Sequence, residues 1–297
     1  MLNFRFASAI ILFSISLLGA CELINPDEQV PSYVRIDTVN VETNLSTQGT
    51  AKHNIFDAWV IHNGLVVATV PIPATVPVLQ DKGTIVSILP GIKESGTSTN
   101  RSIYPFFDAV DLEIEFNGDG AIYAFNEKDI VFKYKDNVKF LWLEDFESET
   151  ISLQEINQDS APFTRTKSPS KVFEGEASFS VKLTQNDTIM SVQGFNYFSG
   201  SDFNLGSPTF LEMHYKNEIN MQVGFAYRSP EGVVQYNQPH LYLRETDEWK
   251  KVYVNMTDLV ALLNNEAGIR VYFAAVIPFD VAEAEILLDN IKLITFE

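Results

Sequence analysis

From Phe6 to Gly19 the chain is apolar apart from three serines, and no later stretch matches it in length. From about Ser32 to Tyr134 they alternate with polar ones in short runs: YVRIDTVNVET, FDAWVIHNGLVVATVPI, GTIVSIL, DAVDLEIEF and DIVFKY. Period-two alternation of this length predicts strands. Between the runs stand turn signals, among them His62-Asn63-Gly64, whose Asn-Gly pair suits a two-residue hairpin, and Asn117-Gly118-Asp119-Gly120. At NVKFLWLEDF (137–146) the pattern restarts at larger spacing, with ASFSVKL, TIMSVQGF, TFLEMHY, NMQVGFAY, HLYLRE, WKKVYVNM, IRVYFAAV and EILLDNIKLITF. TDLVALLN (257–264) alone predicts a short helix, capped by Thr257 or Asp258.

These patterns predict an all-β chain. The tightly spaced strands of 32–136 suit a small sandwich of immunoglobulin or transthyretin type, and the eight or nine strands of 140–297 suit a jelly-roll β-sandwich. The opening run, preceded by Arg5 and free of charged or amide side chains, has the plan of a secretory signal and is shorter than the roughly 20 residues of a bilayer-crossing helix. Leu18-Gly19-Ala20-Cys21 at its end resembles the bacterial lipobox, which implies removal of residues 1–20 and acylation of Cys21, a palmitate-type membrane anchor. Several acyl chains on one cysteine hold a membrane where a single chain binds only marginally. Residues 21–31, polar and with two prolines, read as a tether, and Asp27-Glu28 resembles the acidic export signals of Bacteroidota surface lipoproteins.

Charge narrows the partners. The formal net charge is −18, and loss of the segment carrying Arg5 makes it more negative. With no basic run, the chain is unsuited to nucleic acid or to electrostatic adsorption on anionic lipid. Cys21 is the only cysteine, so no internal disulfide can form. Catalytic signatures are lacking: there is no G-x-S-x-G elbow, no paired histidine motif among His53, His62, His214 and His240, and no Gly-rich phosphate loop before a helix. The histidines read as surface or strand-edge residues, and Asp111, Glu113 and Glu115 as the solvated face of one strand.

Two resemblances add to this. DAWVIHNGLVVATVPIPATVPVLQDKGTIVSILPGI resembles the PEGA and carboxypeptidase-regulatory modules, and together with SIYPFF and FLWLEDFE the arrangement is similar to uncharacterised two-domain Bacteroidota lipoproteins. Glu144-Asp145-Phe146-Glu147, the Phe173 to Val181 stretch, Trp249 to Tyr253 and Leu288 to Ile291 resemble, in order, the galactose-binding-like jelly rolls of carbohydrate-binding modules. That resemblance implies a structural calcium ion on Glu144, Glu147, Glu174 and Asp289, since hard oxygen ligands suit that ion. It also directs attention to aromatic loops: Phe195, Tyr197 and Phe198, and a glycan-binding set of Tyr227, Arg228, Tyr236, Gln238 and His240. The resulting expectation is a non-catalytic lipoprotein of the cell envelope, at the outer membrane, binding a glycan through its C-terminal jelly roll. The alternative is a structural or adaptor subunit of a surface protein complex.

Overall fold

The computed structural model describes residues 29–79, 84–156, 158–232 and 235–297; Cys21, the signal segment and most of the tether lie outside them. The chain is all-β, with 21 strands and two short α-helices among the described residues.

The first half starts with β1 (Ser32–Ile36), β2 (Asn40–Glu42), the one-turn helix α1 (Leu45–Gln48), β3 (Asp57–His62) and β4 (Leu65–Pro71). It continues through β5 (Ala74–Val78), β6 (Thr84–Lys93), β7 (Arg101–Ile103), β8 (Val110–Ile114), β9 (Ile122–Phe125) and β10 (Val131–Lys133). One sheet has the order β4-β3-β6-β7, with β8 also on β6; across from it lie β5-β1-β9 and the pair β10-β2. Asn63 and Gly64 both take positive φ, 52° and 74°, as the predicted hairpin turn between β3 and β4 requires. The alternation in β1, SYVRI, is explained by Ser32, Val34 and Ile36 facing inward onto Val76, Val78 and Phe132. Asp111, Glu113 and Glu115 are exposed, as the pattern predicts.

The second half contains β11 (Val138–Glu144), β12 (Leu153–Glu155), β13 (Phe163–Thr166), β14 (Ser178–Thr184), β15 (Ile189–Gly194) and β16 (Thr209–Asn217). After these come β17 (Met221–Arg228), β18 (Gln235–Leu243), β19 (Thr246–Asn255), helix α2 (Thr257–Leu263), β20 (Gly268–Val276) and β21 (Glu283–Phe296). They form a sandwich. One sheet runs β13-β14-β21-β16-β19 with β11 also on β21, the other β12-β15-β20-β17-β18. Phe179, Leu211, Met213, Phe225, Phe273 and Leu293 fill the space between them, each fully buried large side chain contributing about 1.5–3 kcal/mol. Helix α2 occupies the predicted residues, but its first N–H, that of Thr257, is taken by Asn255 Oδ1 at 3.0 Å, so neither Thr257 nor Asp258 is the cap.

The halves share a buried boundary. Phe210, Tyr253 and Ile294, on the outer face of the six-stranded sheet, belong to the same apolar cluster as Tyr104, Phe106 and Phe107 of the first half. Within this cluster sits a fully buried carboxylate, Glu212 on β16. It accepts hydrogen bonds from the hydroxyls of Tyr104 and, at 2.8 Å, Tyr134, and pairs with Lys251 at 2.5 Å. Lys292 donates to the Thr50 carbonyl at 2.7 Å and to Tyr134 at 3.3 Å. Burial alone would raise the Glu212 pKa; Lys251 and Lys292 beside it hold it at about 2. Lys292 falls to about 7, burial outweighing the attraction of Glu212.

Candidate functional site

The five-stranded sheet has one face in the core and one turned away from it. Along β17 the core takes Val223 and Phe225, and along β20 Ile269, Val271 and Phe273. Strand alternation therefore turns Gln222, Gly224, Ala226 and Arg228, with Arg270, Tyr272 and Ala274, to the outer face. Gly224 is required there: a Cβ would fall on the Gln238 carbonyl oxygen and 2.8 Å from the Tyr272 ring.

At one end of this face the ladder is interrupted. Gln193 pairs with Tyr272, and pairing resumes only at Phe198 with Ile269, so residues 194–197 bulge opposite Arg270 and Val271. Arg270 closes the bulge by donating from Nη1 to the carbonyls of Gly194 and Phe195, at 3.2 and 3.3 Å. The bulge delivers Tyr197 onto the sheet, its ring 3.0–3.2 Å from where a Cβ on Gly268 would stand. The guanidinium carbon of Arg270 lies 3.2 Å from the centre of that ring and that of Arg228 4.0 Å. Tyr197 donates to Gln235 Oε1 at 3.1 Å, and Gln235 donates to Gln193 at 3.2 Å, which closes a chain of polar groups across the sheet. Arg270 is only 4% exposed and Tyr272 1%. Among the described residues, Arg270 Nε and the Tyr272 hydroxyl have no hydrogen-bond partner. Burial lowers the Arg270 pKa, and burial also pushes Tyr272 up to about 12. Phe195 in the bulge, 61% exposed, and Tyr242 on β18, 65% exposed, supply free aromatic surface.

The expected glycan set is not gathered on one face. Tyr227 and Tyr236 are direct cross-strand partners with rings stacked 5.4 Å apart, and Tyr227 packs against the core, so this pair is on the inward side of β17 and β18. Gln238 pairs with Phe225, and His240, at a bulge, reaches the Asn255 carbonyl of the opposite sheet at 2.7 Å. Arg228, next to Tyr227 in sequence, faces the other way. Adjacent strand residues cannot share a face, and that separates the set. Phe198 also packs inward, whereas Tyr197 lies on the outer face and Phe195 stands exposed in the bulge. Arg270, Tyr272, Gln193 and Gln235 escaped the sequence reading; the available signal was their polar parity in strands whose alternate residues are apolar.

The four acids expected to hold calcium are engaged elsewhere. Glu144 accepts from the Phe146 and Ser152 amides, at 2.8 and 2.6 Å, and from the Ser152 hydroxyl. Glu147 accepts from the Glu176 and Ala177 amides at 2.9 and 3.2 Å, tucked against Gly175 at φ +70°. Glu174 holds the Thr50 hydroxyl at 2.5 Å and Asn290 at 3.2 Å. Asp289 holds Ser178 at 2.6 Å, while its Oδ1 has no partner. Among the described residues no three His, Cys, Asp or Glu are placed to share a metal ion. Calcium needs six to eight oxygens, and these residues do not fit it. Two histidines also depart from expectation: His62 is buried, and His214 is buried and stacked on Phe173 at 3.9 Å, where burial lowers its pKa to about 2.

A cleft of about 650 Å³ opens beside the far end of the sheet, between the β18–β19 hairpin and residues 93–97 of the first half. Tyr242, Asn54, Lys93, Arg244, Glu245 and Lys250 line it.

No family model matches the chain, and no curated protein matches it. Solved structures similar to parts of it include the CBM22-1 xylan-binding domain from Paenibacillus barcinonensis, at 12% identity and a TM-score of 0.37, covering 55% of this chain and 98% of that one. The family 11 carbohydrate-binding module from Clostridium thermocellum, in complex with a β-1,3-1,4-mixed-linked tetrasaccharide, gives 13% identity, a TM-score of 0.38 and coverage of 52% and 94%. The family 30 module of a cellulosomal cellulase from Clostridium thermocellum gives 17%, 0.34, 54% and 94%.

Proposed function

We propose that this protein is a non-catalytic, lipid-anchored component of the cell envelope, at the outer membrane, that binds a polysaccharide along the outer face of its five-stranded sheet. The observation that carries the binding reading is the line of groups on that face. Tyr197 with Arg228 stands at one end, amides of Gln193, Gln235 and Gln222 lie along it, and Tyr242 stands at the other end beside the cleft. Sugars are held by aromatic surface rimmed with a few polar groups. Gln222, beside Tyr242, and Arg228 are six residues apart on β17, roughly 20 Å at the strand rise. This length suits an extended chain of sugars better than a single residue.

The test is a glycan array probed with the full chain. Tyr242→Ala is expected to abolish or greatly weaken binding with little change in melting temperature; Tyr197→Ala is expected to weaken binding too, with some loss of stability because Arg270 and Gln235 lose their partner. A folded protein that binds no glycan overturns the reading. The anchor is tested separately: the LGAC site predicts that Cys21→Ser releases the protein from membranes and that the wild type incorporates labelled palmitate.

The adaptor reading draws on a different place. β4 is an edge strand of its sheet, and Leu65, Val66 and Val67 stand exposed on it in succession. An unpaired edge with apolar side chains suits addition of a partner's strand.

A further inference from the structure

We infer that the polysaccharide bound on this face is an acidic one, a polymer carrying carboxylates such as a polyuronate; this rests on the glycan reading above. Among the described residues there are six arginines. Arg35 and Arg101 hold ion pairs, and Arg165 donates to the Phe146 and Glu147 carbonyls. The other three, Arg228, Arg244 and Arg270, have no carboxylate at ion-pair distance, and all three belong to the five-stranded sheet or its β18–β19 hairpin. The chain has a net charge of −18, with 39 acids against 21 bases, yet these three arginines gather on one sheet and its hairpin without an acid of their own.

Their placement separates two roles. Arg270 is buried, holds the bulge carbonyls and fixes Tyr197; it is a positioning residue. Arg228 is exposed on the same ring, and the two guanidinium groups repel one another. A carboxylate beside Arg228 relieves that repulsion and fits the planar fork, which presents its donors in the geometry of a carboxylate. At the far end, Arg244, Lys93 and Lys250 stand around the cleft: among the described residues none of the three is ion-paired, Lys93 lies over the Phe56 ring, and Glu245 is the one acid in the lining. Cations at both ends of a roughly 20 Å path call for a ligand with anionic groups repeated along its length.

The experiment is calorimetric titration of the full chain with polygalacturonate, alginate and hyaluronate, each compared with its carboxyl-reduced, neutral form. At least one acidic polymer is expected to bind roughly tenfold or more tightly than its reduced form, the value of one charge-assisted hydrogen bond. The preference is expected to collapse in 1 M NaCl. Arg228→Gln is expected to remove most of the preference at unchanged melting temperature, and Arg228→Lys to restore part of it. Equal or tighter binding of the reduced polymers overturns the inference while leaving glycan binding intact. Equal binding of polyglutamate also overturns it, because bare charge would then suffice. A preference that survives Arg228→Gln overturns the role of that residue. Absence of binding to any polysaccharide, neutral or acidic, by the folded protein removes the glycan reading and this inference with it.

Discussion

Asp289 shows how a single acid can be structural without a metal. Its Oδ2 takes Ser178 and the Glu174 amide, its Oδ1 nothing, and Glu174 and His214 stand nearby. Burial raises its pKa from 3.8 to about 7, partly countered by the Ser178 hydrogen bond. A raised carboxyl pKa means that the folded state holds a proton the unfolded state releases. This stabilisation is complete below about pH 4 and is lost as the pH rises through about 7. Asp289→Asn keeps the shape and removes the titration. The melting temperature of Asp289→Asn minus that of the wild type is therefore expected to increase between pH 4 and pH 8; a difference independent of pH would contradict the assignment. Since these acids already serve backbone amides and hydroxyls, EDTA is expected to leave the wild-type melt unchanged.

At the scale of the element, the β17–β18 pair depends on the one glycine whose missing side chain lets the strands close. Gly224→Ala must push either the Gln238 carbonyl or the Tyr272 ring aside. We expect a loss of about 1–3 kcal/mol in urea unfolding, the usual range for overpacking. Gly118→Ala, where a Cβ meets nothing within 4 Å, is expected to be near neutral. Much of this architecture was legible beforehand: strand alternation located most of the strands, Asn63-Gly64 the hairpin and TDLVALLN the helix. The candidate face was legible only in part. Tyr227 and Arg228 flank the same loop and belong to one expected set, yet a strand points them apart. Arg270 and Tyr272 sit in IRVYFAAV, whose apolar content hid the polar parity. Glu212, His214, Lys251 and Lys292 are invisible to such patterning for another reason. Polar positions on a strand read as solvated; the first half of the chain, folded against them, buries Glu212, Lys251 and Lys292, and Phe173 stacks over His214.

On this arrangement the whole molecule is expected to unfold as one cooperative unit despite its two sandwiches. A boundary that buries Phe210, Tyr253 and Ile294 together with a carboxylate and two lysines ties 140–297 to the first half. Glu212→Gln leaves Lys251 and Lys292 buried without their counter-charge, a change that costs about 3–5 kcal/mol when one partner of a buried pair is removed. Trp59 reports on the first half and Trp142 and Trp249 on the second. In variants retaining tryptophan in one half only, the unfolding transitions are expected to coincide, and Glu212→Gln is expected to move both together. Two separate midpoints would show that the halves melt independently.

The boundary also guards a sheet edge. β19 is the outermost strand of its sheet. Two of its outward backbone acceptors are occupied by the first half: Ser95 N–H donates to the Tyr253 carbonyl at 2.7 Å, and Asn54 Nδ2 to the Lys251 carbonyl at 3.2 Å. A protease that strips away the first half would bare this edge together with the aromatic face beside it, the combination that recruits strands from other chains. The remnant is expected to self-associate, so the N-terminal sandwich acts as a cap on its neighbour's open edge.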